Sequence, residues 1–140
     1  MESFRPERVY NGTWGFVYID GYKLAEVTAF SATIEQETED VNQAQTLAPG
    51  KKPSGLKCEG SVKMHKVSPY MRDKCSDKFK AGKIVQFTIV GGINDPDAAQ
   101  SERIIIKDAT VTKLTLMDWE LKKLGEEEIP FSFTDWEVVN

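Results

Sequence analysis

The chain has 140 residues, which is the length of one domain. Its apolar residues make up 40% of the sequence, and with the ten glycines this is enough to form one hydrophobic core. A wholly disordered chain is therefore excluded. Two cysteines exclude a disulfide scaffold, and a single histidine argues against histidine-based catalysis and most metal sites. The net charge of −4 argues against a generic nucleic-acid binder, and no stretch approaches the roughly 20 apolar residues of a membrane-spanning helix. The amino terminus lacks the apolar run of a signal peptide, which predicts a cytoplasmic origin.

The first predicted element is a β-hairpin. Residues 14–19 are rich in aromatic and β-branched side chains and are followed by Asp20-Gly21, a dipeptide that favours tight hairpin turns. The return strand is predicted over residues 22–24.

A half-buried strand is predicted from Val27 to Glu39, because its side chains alternate between two faces. A helix is the alternative, but five β-branched residues between Val27 and Thr38 argue against it. One face carries Phe30, Ala32 and Ile34, and the other carries Thr33, Glu35, Glu37 and Glu39.

Residues 41–56 show no clear period, and Pro49-Gly50 and Pro53-Ser54-Gly55 are typical of turns, so a long structureless loop is predicted there. The loop contains Lys51 and Lys52 and no acid. It therefore either docks on an acidic surface or is a disordered linker.

The second half of the chain adds one helix and several strands. The helix is predicted over residues 69–81, with Ser68 as its N-cap and Gly82 as its stop, because Tyr70, Met71, Cys75 and Phe79 form one apolar stripe. Strands are predicted over 56–67 (with Cys58, Val62 and Met64 on one face), 84–90, 103–107, 109–117 and 128–138, with a turn at 94–97 and a turn or frayed helix at 119–125.

The count is about seven strands and one helix that do not alternate, which argues against a parallel α/β fold. We predict a mainly β fold: an antiparallel β-sandwich or open barrel with one flanking α-helix. Residues 1–140 are predicted to form a single domain, with an N-terminal arm at 1–13 and the long loop at 41–56.

No catalytic constellation is found, so the chain is predicted not to be an enzyme and to need no cofactor. His65 has no second ligand nearby, and Cys58 and Cys75 lack the spacing of a zinc site, so we predict two buried free thiols and no metal site. The acidic run at 126–128 is interpreted as a solvated charge run, because consecutive strand residues point to opposite faces.

Charge is unevenly distributed along the chain. Residues 1–42 have a net charge of −5, residues 43–83 of +7 and residues 84–140 of −6. Two interpretations remain open: a mixed solvated surface, or opposite signs presented to neighbouring copies of the same chain.

Several sequence blocks, taken together in this order and spacing, resemble the tail tube proteins of contractile phages. The similarity is greatest to the branch found in defective prophages and phage-tail-like bacteriocins, and it covers nearly the whole chain. The blocks are Gly15-Phe16-Val17-Tyr18-Ile19-Asp20-Gly21, Phe30-Ser31-Ala32, Glu39-Asp40-Val41-Asn42, Gly60-Ser61-Val62, Lys66-Val67-Ser68 and the run from Glu127 to Trp136.

The resemblance implies a structural protein that forms hexameric rings, and these rings stack into a hollow tube inside a contractile sheath. Its implied partners are further copies of itself, the sheath protein, and baseplate and terminator proteins, with DNA only as non-specific cargo and no membrane anchor. The implied location is a virion or phage-tail-like particle assembled in the bacterial cytoplasm. Two alternatives remain: a small β-sandwich binding or adhesion module, and a secreted tube protein of a bacterial injection system.

The resemblance also assigns candidate positions. An acidic bore would repel DNA phosphates, so the acidic strand face is predicted to line the channel; solvent or the sheath is the alternative. The channel-lining candidates are Glu35, Glu37, Glu39, Glu59 and Ser61. The long loop is expected to contact the next ring, and its candidates are Leu47, Pro49, Lys51, Lys52 and Pro53.

Overall fold

The computed structural model describes residues 5–67, 69–98 and 100–139. Over these residues the fold is mainly antiparallel β with one α-helix, which confirms the predicted fold class. The elements are β1 (Gly15–Ile19), β2 (Tyr22–Lys23), β3 (Val27–Val41), β4 (Gly50–His65), α1 (Tyr70–Lys80), β5 (Val85–Ile93), β6 (Glu102–Val111), β7 (Glu126–Ser132) and β8 (Asp135–Val139), preceded by two 3₁₀ turns at Pro6–Arg8 and Gly12–Trp14.

The strands form one antiparallel sheet in the order β2-β1-β5-β6-β7-β4-β3, and β8 pairs with β6. β7 and β8 follow each other along β6 in one register, since Thr110 pairs with Ser132 and Lys107 with Asp135. The predicted single strand at 128–138 is therefore divided in two. β7 ends at Ser132, and the next residue, Phe133, donates its N–H to the carbonyl of Cys58 on β4 at 3.2 Å.

The prediction of two separate strands at 103–107 and 109–117 is wrong, because β6 spans Glu102–Val111. They are one strand with a bulge at Asp108, whose φ of 54° lets the chain add a residue and continue. The strand ends at Val111 because its partner β5 begins at Val85, opposite Val111. Residues 112–117, which include the β-branched Thr112 and Thr115, pair with no strand among the described residues.

The predicted loop at 41–56 is wrong for residues 50–56. β3 and β4 remain paired as far as Val41 and Gly50, so the connection is only residues 42–49. Pro53 is accommodated because a bulge at Ser54 follows it and because β7 pairs with β4 only from Glu59 onward. Leu47 and Pro49 lie in the connection, and Lys51, Lys52 and Pro53 lie in β4.

The predicted Asp20-Gly21 turn is confirmed. The predicted helix is present but begins at Tyr70, with Pro69 at the N-cap position, and the predicted N-cap Ser68 lies outside the described residues. Asp20 and Gly21 have φ values of 49° and 83°, as a type I′ turn requires. The helix ends one residue before Ala81. Gly82 then adopts a φ of 74° and donates its N–H to the carbonyl of Phe79, which caps the helix.

The core lies between β1, β5, β6, β7, α1 and the first part of the β3–β4 hairpin. Its largest fully buried side chains are Ile19, Met71, Ile89, Ile106, Val17, Val62, Val85 and Cys75. The described part of the N-terminal arm is anchored, since the Asn11 N–H donates to the buried carboxylate of Asp95 at 2.9 Å.

Past Ala32 and Cys58 the hairpin leaves the core. We call residues 33–41 with 50–57 the distal ribbon. Every residue in it is exposed except the half-buried Gly50 and Gly55. The fold therefore carries a long two-stranded projection.

Candidate functional site

The five channel-lining candidates all lie on one face of the β3–β4 hairpin. Cross-strand partners point to the same side of a sheet. Glu35 pairs with Lys57, Thr33 with Glu59, and Ser31 with Ser61, and the core side is taken by the alternate residues. We call this the outer face; Glu35, Glu37, Glu39 and Glu59 are exposed on it, and Ser61 is half-buried. That this face lines a channel stays a prediction.

Lysines accompany the acids on the outer face. Lys57 lies opposite Glu35, and Lys52 lies opposite Glu39. The Lys57 ammonium is 3.9 Å from Glu59. From 33 to 39 and from 52 to 59 the outer face thus has four carboxylates and two lysines, a net charge of −2. Sequence reasoning missed this compensation because it assigned Lys52 to a loop.

β3 is the last strand of the sheet, so one side of its backbone is unpaired within the described residues. It is 15 residues long, whereas edge strands of isolated proteins are usually short or protected. Such an edge is a template for pairing with another chain.

One face of the distal ribbon lies on the same side of the hairpin as the core residues, but no described residue packs on it. We call this side the inner face of the ribbon; it carries Ile34, which is 46% exposed, and Leu56, which is 56% exposed. At the tip, Leu47 is fully exposed. A two-stranded ribbon with no packed face is marginally stable in water. The distal ribbon would therefore be stabilised by another surface packed against it.

A second uncovered surface is the connection between β6 and β7, residues 112–125, which we call the apolar segment. Five large side chains in it are 61–82% exposed: Leu116, Met117, Trp119, Leu121 and Leu124. Its ends are fixed. Leu114 packs against the core, and the Lys66 N–H donates to the Gly125 carbonyl at 2.8 Å. The ammonium of Lys66 lies 3.1 Å from the buried carboxylate of Glu127, which strengthens the second anchor.

Helix α1 packs against the first hairpin. The rings of Tyr22 and Tyr70 stack at 4.3 Å. The Lys74 ammonium donates to the Tyr70 hydroxyl at 3.2 Å and lies 3.7 Å from Asp20, and these contacts raise the pKa of Lys74. Burial raises the pKa of the Cys75 thiol.

The described residues contain no group of three or more His, Cys, Asp or Glu that could hold a metal ion. Cys58 and Cys75 are buried free thiols, as predicted, and His65 is exposed on β4. A groove of about 420 Å³ between the start of β3 and the ends of β1, β5 and β6 is lined mainly by glycines and apolar side chains. None of the helices in the described ranges has the length and apolar character needed to cross a membrane.

The comparisons with known proteins identify a structural family. The sequence profile of the family described as "Phage tail tube protein" matches residues 2–140. The chain belongs to this phage tail tube family. Its members are structural proteins and not enzymes, which confirms both the predicted resemblance and the predicted class.

One curated relative and two solved structures are similar to this tail tube protein. The chain is 26% identical over 139 residues to the phage-like element PBSX protein XkdM of Bacillus subtilis (strain 168), covering 97% of this chain and 94% of the relative. It shares the fold of the sheath/tube terminator of the extracellular contractile injection system PVC, with a TM-score of 0.73, 13% identity and 99% of both chains covered. A chain of the PVC sheath-tube complex matches with a TM-score of 0.69 and 12% identity, over 94% of this chain and 89% of that one.

Proposed function

We propose that this tail tube protein forms hexameric rings that stack into the inner tube of a contractile phage tail or a tail-like bacteriocin. The observation that carries the proposal is the distal ribbon with its open β3 edge. A neighbouring copy that pairs with this edge would satisfy its backbone groups and continue the sheet around a ring. The tube would then owe its stiffness to hydrogen bonds between subunits.

The outer face is our candidate for the channel lining. Its net charge of −2 per copy repels phosphates, so DNA would slide past it without adhering. The lysines opposite Glu35 and Glu39 make this repulsion weaker than the acids of β3 alone would give. The same tube without a genome would act as an envelope-piercing device.

The proposed partners are further copies of the chain, the sheath, and baseplate and terminator proteins. The PVC neighbours that share its fold come from a sheath-tube complex and a sheath/tube terminator, which supports partners of these kinds. DNA is proposed only as non-specific cargo, and assembly is proposed to take place in the bacterial cytoplasm. The 42–49 connection, with Leu47 and Pro49, is proposed to contact the next ring, followed by Lys51, Lys52 and Pro53 of the ribbon.

The terminator match supports a second candidate function, a ring that closes the end of a tube, because it covers 99% of both chains. A terminator presents only one end to the tube. It would form single rings and not grow by stacking.

Electron microscopy of the purified protein over a wide concentration range tests the proposal. We expect hollow six-fold tubes for the wild type. A shortened variant, in which Asn-Gly replaces residues 37–55, is compared with the wild type. The two new residues form a tight turn between the cross-strand partners Gln36 and Leu56, so most of the distal ribbon is removed. This variant should remain folded and form no tubes.

Three outcomes would contradict parts of the proposal. Single wild-type rings at every concentration would favour the terminator role. A wild type that stays monomeric even with its sheath and baseplate would refute a tube function. Tubes formed by the shortened variant would show that the distal ribbon is not the assembly element.

A further inference from the structure

Asp95 is a buried carboxylate that the proposed tube function does not use. It lies in the connection between β5 and β6 and is 6% exposed. Its Oδ1 accepts the Asp97 N–H at 2.9 Å, which forms an Asx turn, and its Oδ2 accepts the N–H of the distant Asn11 at 2.9 Å. No lysine or arginine of the described residues forms an ion pair with Asp95. A buried carboxylate without a cation depends on hydrogen bonds to offset its lost hydration, so each oxygen needs the N–H that it accepts.

The segment that Asp95 holds is the described part of the N-terminal arm, residues 5–13, which we call the strap. Every residue of the strap is exposed, so burial of apolar surface contributes little to its position. Within the described ranges, the Asn11 N–H is the one backbone group of the strap that bonds to a residue distant in sequence. The other backbone hydrogen bonds of the strap join residues at most three apart.

A side-chain contact of the strap involves the same β5–β6 hairpin. The Tyr10 hydroxyl lies near the Glu102 carboxylate at the start of β6, and burial and this negative charge raise the pKa of Tyr10. A segment with so few buried contacts belongs to the least stable part of a fold. The strap can therefore leave its position without disturbing the core.

The strap borders the groove of about 420 Å³. Gly12 lines this groove together with residues of β1, β3, β5 and β6. The chain is fixed again just beyond Gly12, since the Asn94 N–H donates to the Trp14 carbonyl at 3.2 Å. A strap released at Asn11 would therefore pivot near Trp14, while β1 stays in the sheet.

We propose that the strap has a docked and a released state in the single subunit, and that the Asp95 carboxylate is the latch that sets the balance between them. Release leaves the turn intact, because Oδ1 keeps the Asp97 N–H while Oδ2 exchanges the Asn11 N–H for water. The strap thereby controls how far one end of the groove is open. The inference goes beyond the proposed tube function and does not rest on it, since it concerns a dispersed subunit.

Two substitutions test the latch from its two sides. Asp95→Asn replaces one acceptor oxygen by an NH₂ donor, so the side chain no longer serves both N–H groups as the carboxylate does. Asn11→Pro removes the donor N–H and leaves Asp95 and its turn unchanged.

Each substitution has a matched control. Asp97→Asn makes the same change of charge in the same connection, but the Asp97 side chain is exposed and only its backbone N–H bonds to Asp95. Asn11→Ala keeps the backbone N–H and removes the side-chain bond to the Thr13 N–H.

Amide hydrogen exchange and trypsin cleavage of the dispersed subunit measure strap release. In Asp95→Asn we expect the Asn11 amide to exchange at least about ten-fold faster than in the wild type, because a hydrogen bond to a charged group is lost. Cleavage after Arg8 should accelerate by a similar factor in Asp95→Asn and Asn11→Pro, since the three residues that follow Arg8 include Asn11 and must leave the surface to enter the protease. Both controls should behave as the wild type. The amide of Ile89 in the core should exchange at the wild-type rate in every variant.

Three results would overturn the proposal. The first is a wild-type rate of strap release in Asp95→Asn or in Asn11→Pro, which would show that this hydrogen bond does not hold the strap. The second is equal acceleration in Asp95→Asn and Asp97→Asn, which would assign the effect to the charge of the connection. The third is exchange of Ile89 that accelerates together with Asn11, which would make Asp95 a structural part of the core. Acceleration in Asp95→Asn and Asn11→Pro alone would support the latch, whether or not the protein assembles into tubes.

Discussion

The two ends of the β3–β4 hairpin differ sharply in their surroundings. In the proximal part, Val62 and Met64 on β4 are almost completely buried. In the distal ribbon, Leu56 has the same orientation on the same strand and is more than half exposed. Alternation of side chains thus determines which face a residue occupies, but not whether anything covers that face.

The largest expected effect is a difference in the free energy of unfolding between substitutions at the two ends of the hairpin. Met64→Ala should lower the free energy of unfolding of the dispersed subunit by about 2–5 kcal/mol, because it empties space in the core. Leu56→Ala on the same strand and face should change it by less than about 0.5 kcal/mol. Urea denaturation below the assembly concentration provides the measurement. Equal costs for the two changes would show that the distal ribbon is packed in the free subunit.

Substitutions at two glycines of β4 also compare the proximal part of the hairpin with the distal ribbon. A Cβ at Gly60 would lie 2.3 Å from the Ser31 carbonyl oxygen and 2.7 Å from the Phe131 ring, so Gly60→Ala should destabilise by about 1–3 kcal/mol. A Cβ at Gly55 would meet only the movable carboxylate of Glu37 at 3.4 Å. Gly55→Ala should therefore be neutral within about 0.5 kcal/mol.

Thermal melting of both glycine variants at a single pH provides the check. Gly60→Ala melting at the wild-type temperature would indicate that the close approach of β3 and β4 at this point can relax without cost.

The sequence allowed prediction of the features whose cause is local. The Asp20-Gly21 turn and the Gly82 helix stop follow from the backbone freedom of a few residues, and the structure confirms them. The faces of β3 follow from alternation alone, which is why the acids were placed together correctly.

The mistaken elements depend on partners distant in sequence. Residues 50–56 contain Gly50, Pro53 and Gly55 in a turn-like pattern, but pairing with β3 and a bulge at Ser54 keep them in a strand. Residues 112–117 include the β-branched Thr112 and Thr115, but β5 does not pair beyond Val85. The lysines opposite Glu35 and Glu39 were missed for the same reason, because only the register brings them to the outer face.

The smallest expected effect is the pH dependence of folding stability that arises from the buried thiol of Cys75. Burial raises the pKa of the Cys75 thiol in the folded state, while in the unfolded chain the thiol ionises at its ordinary value of about 8–9. Above that value the unfolded state binds fewer protons than the folded state, so stability falls as the pH rises, by at most about 1.4 kcal/mol per pH unit. Lys74 also has a raised pKa, but its contribution is lost only at higher pH, above about 10.4.

Urea denaturation between pH 8 and 9.5 should therefore show a decline in stability that Cys75→Ala flattens, because this variant removes the ionising group from both states. Glu35→Gln in the distal ribbon is the matched control and should leave the decline unchanged, since that side chain is exposed and lies outside the core that holds Cys75. A decline of the same slope in Cys75→Ala would mean that the Cys75 thiol ionises equally well in the folded subunit. The alkaline sensitivity would then have to come from a group other than the thiol at the centre of helix α1.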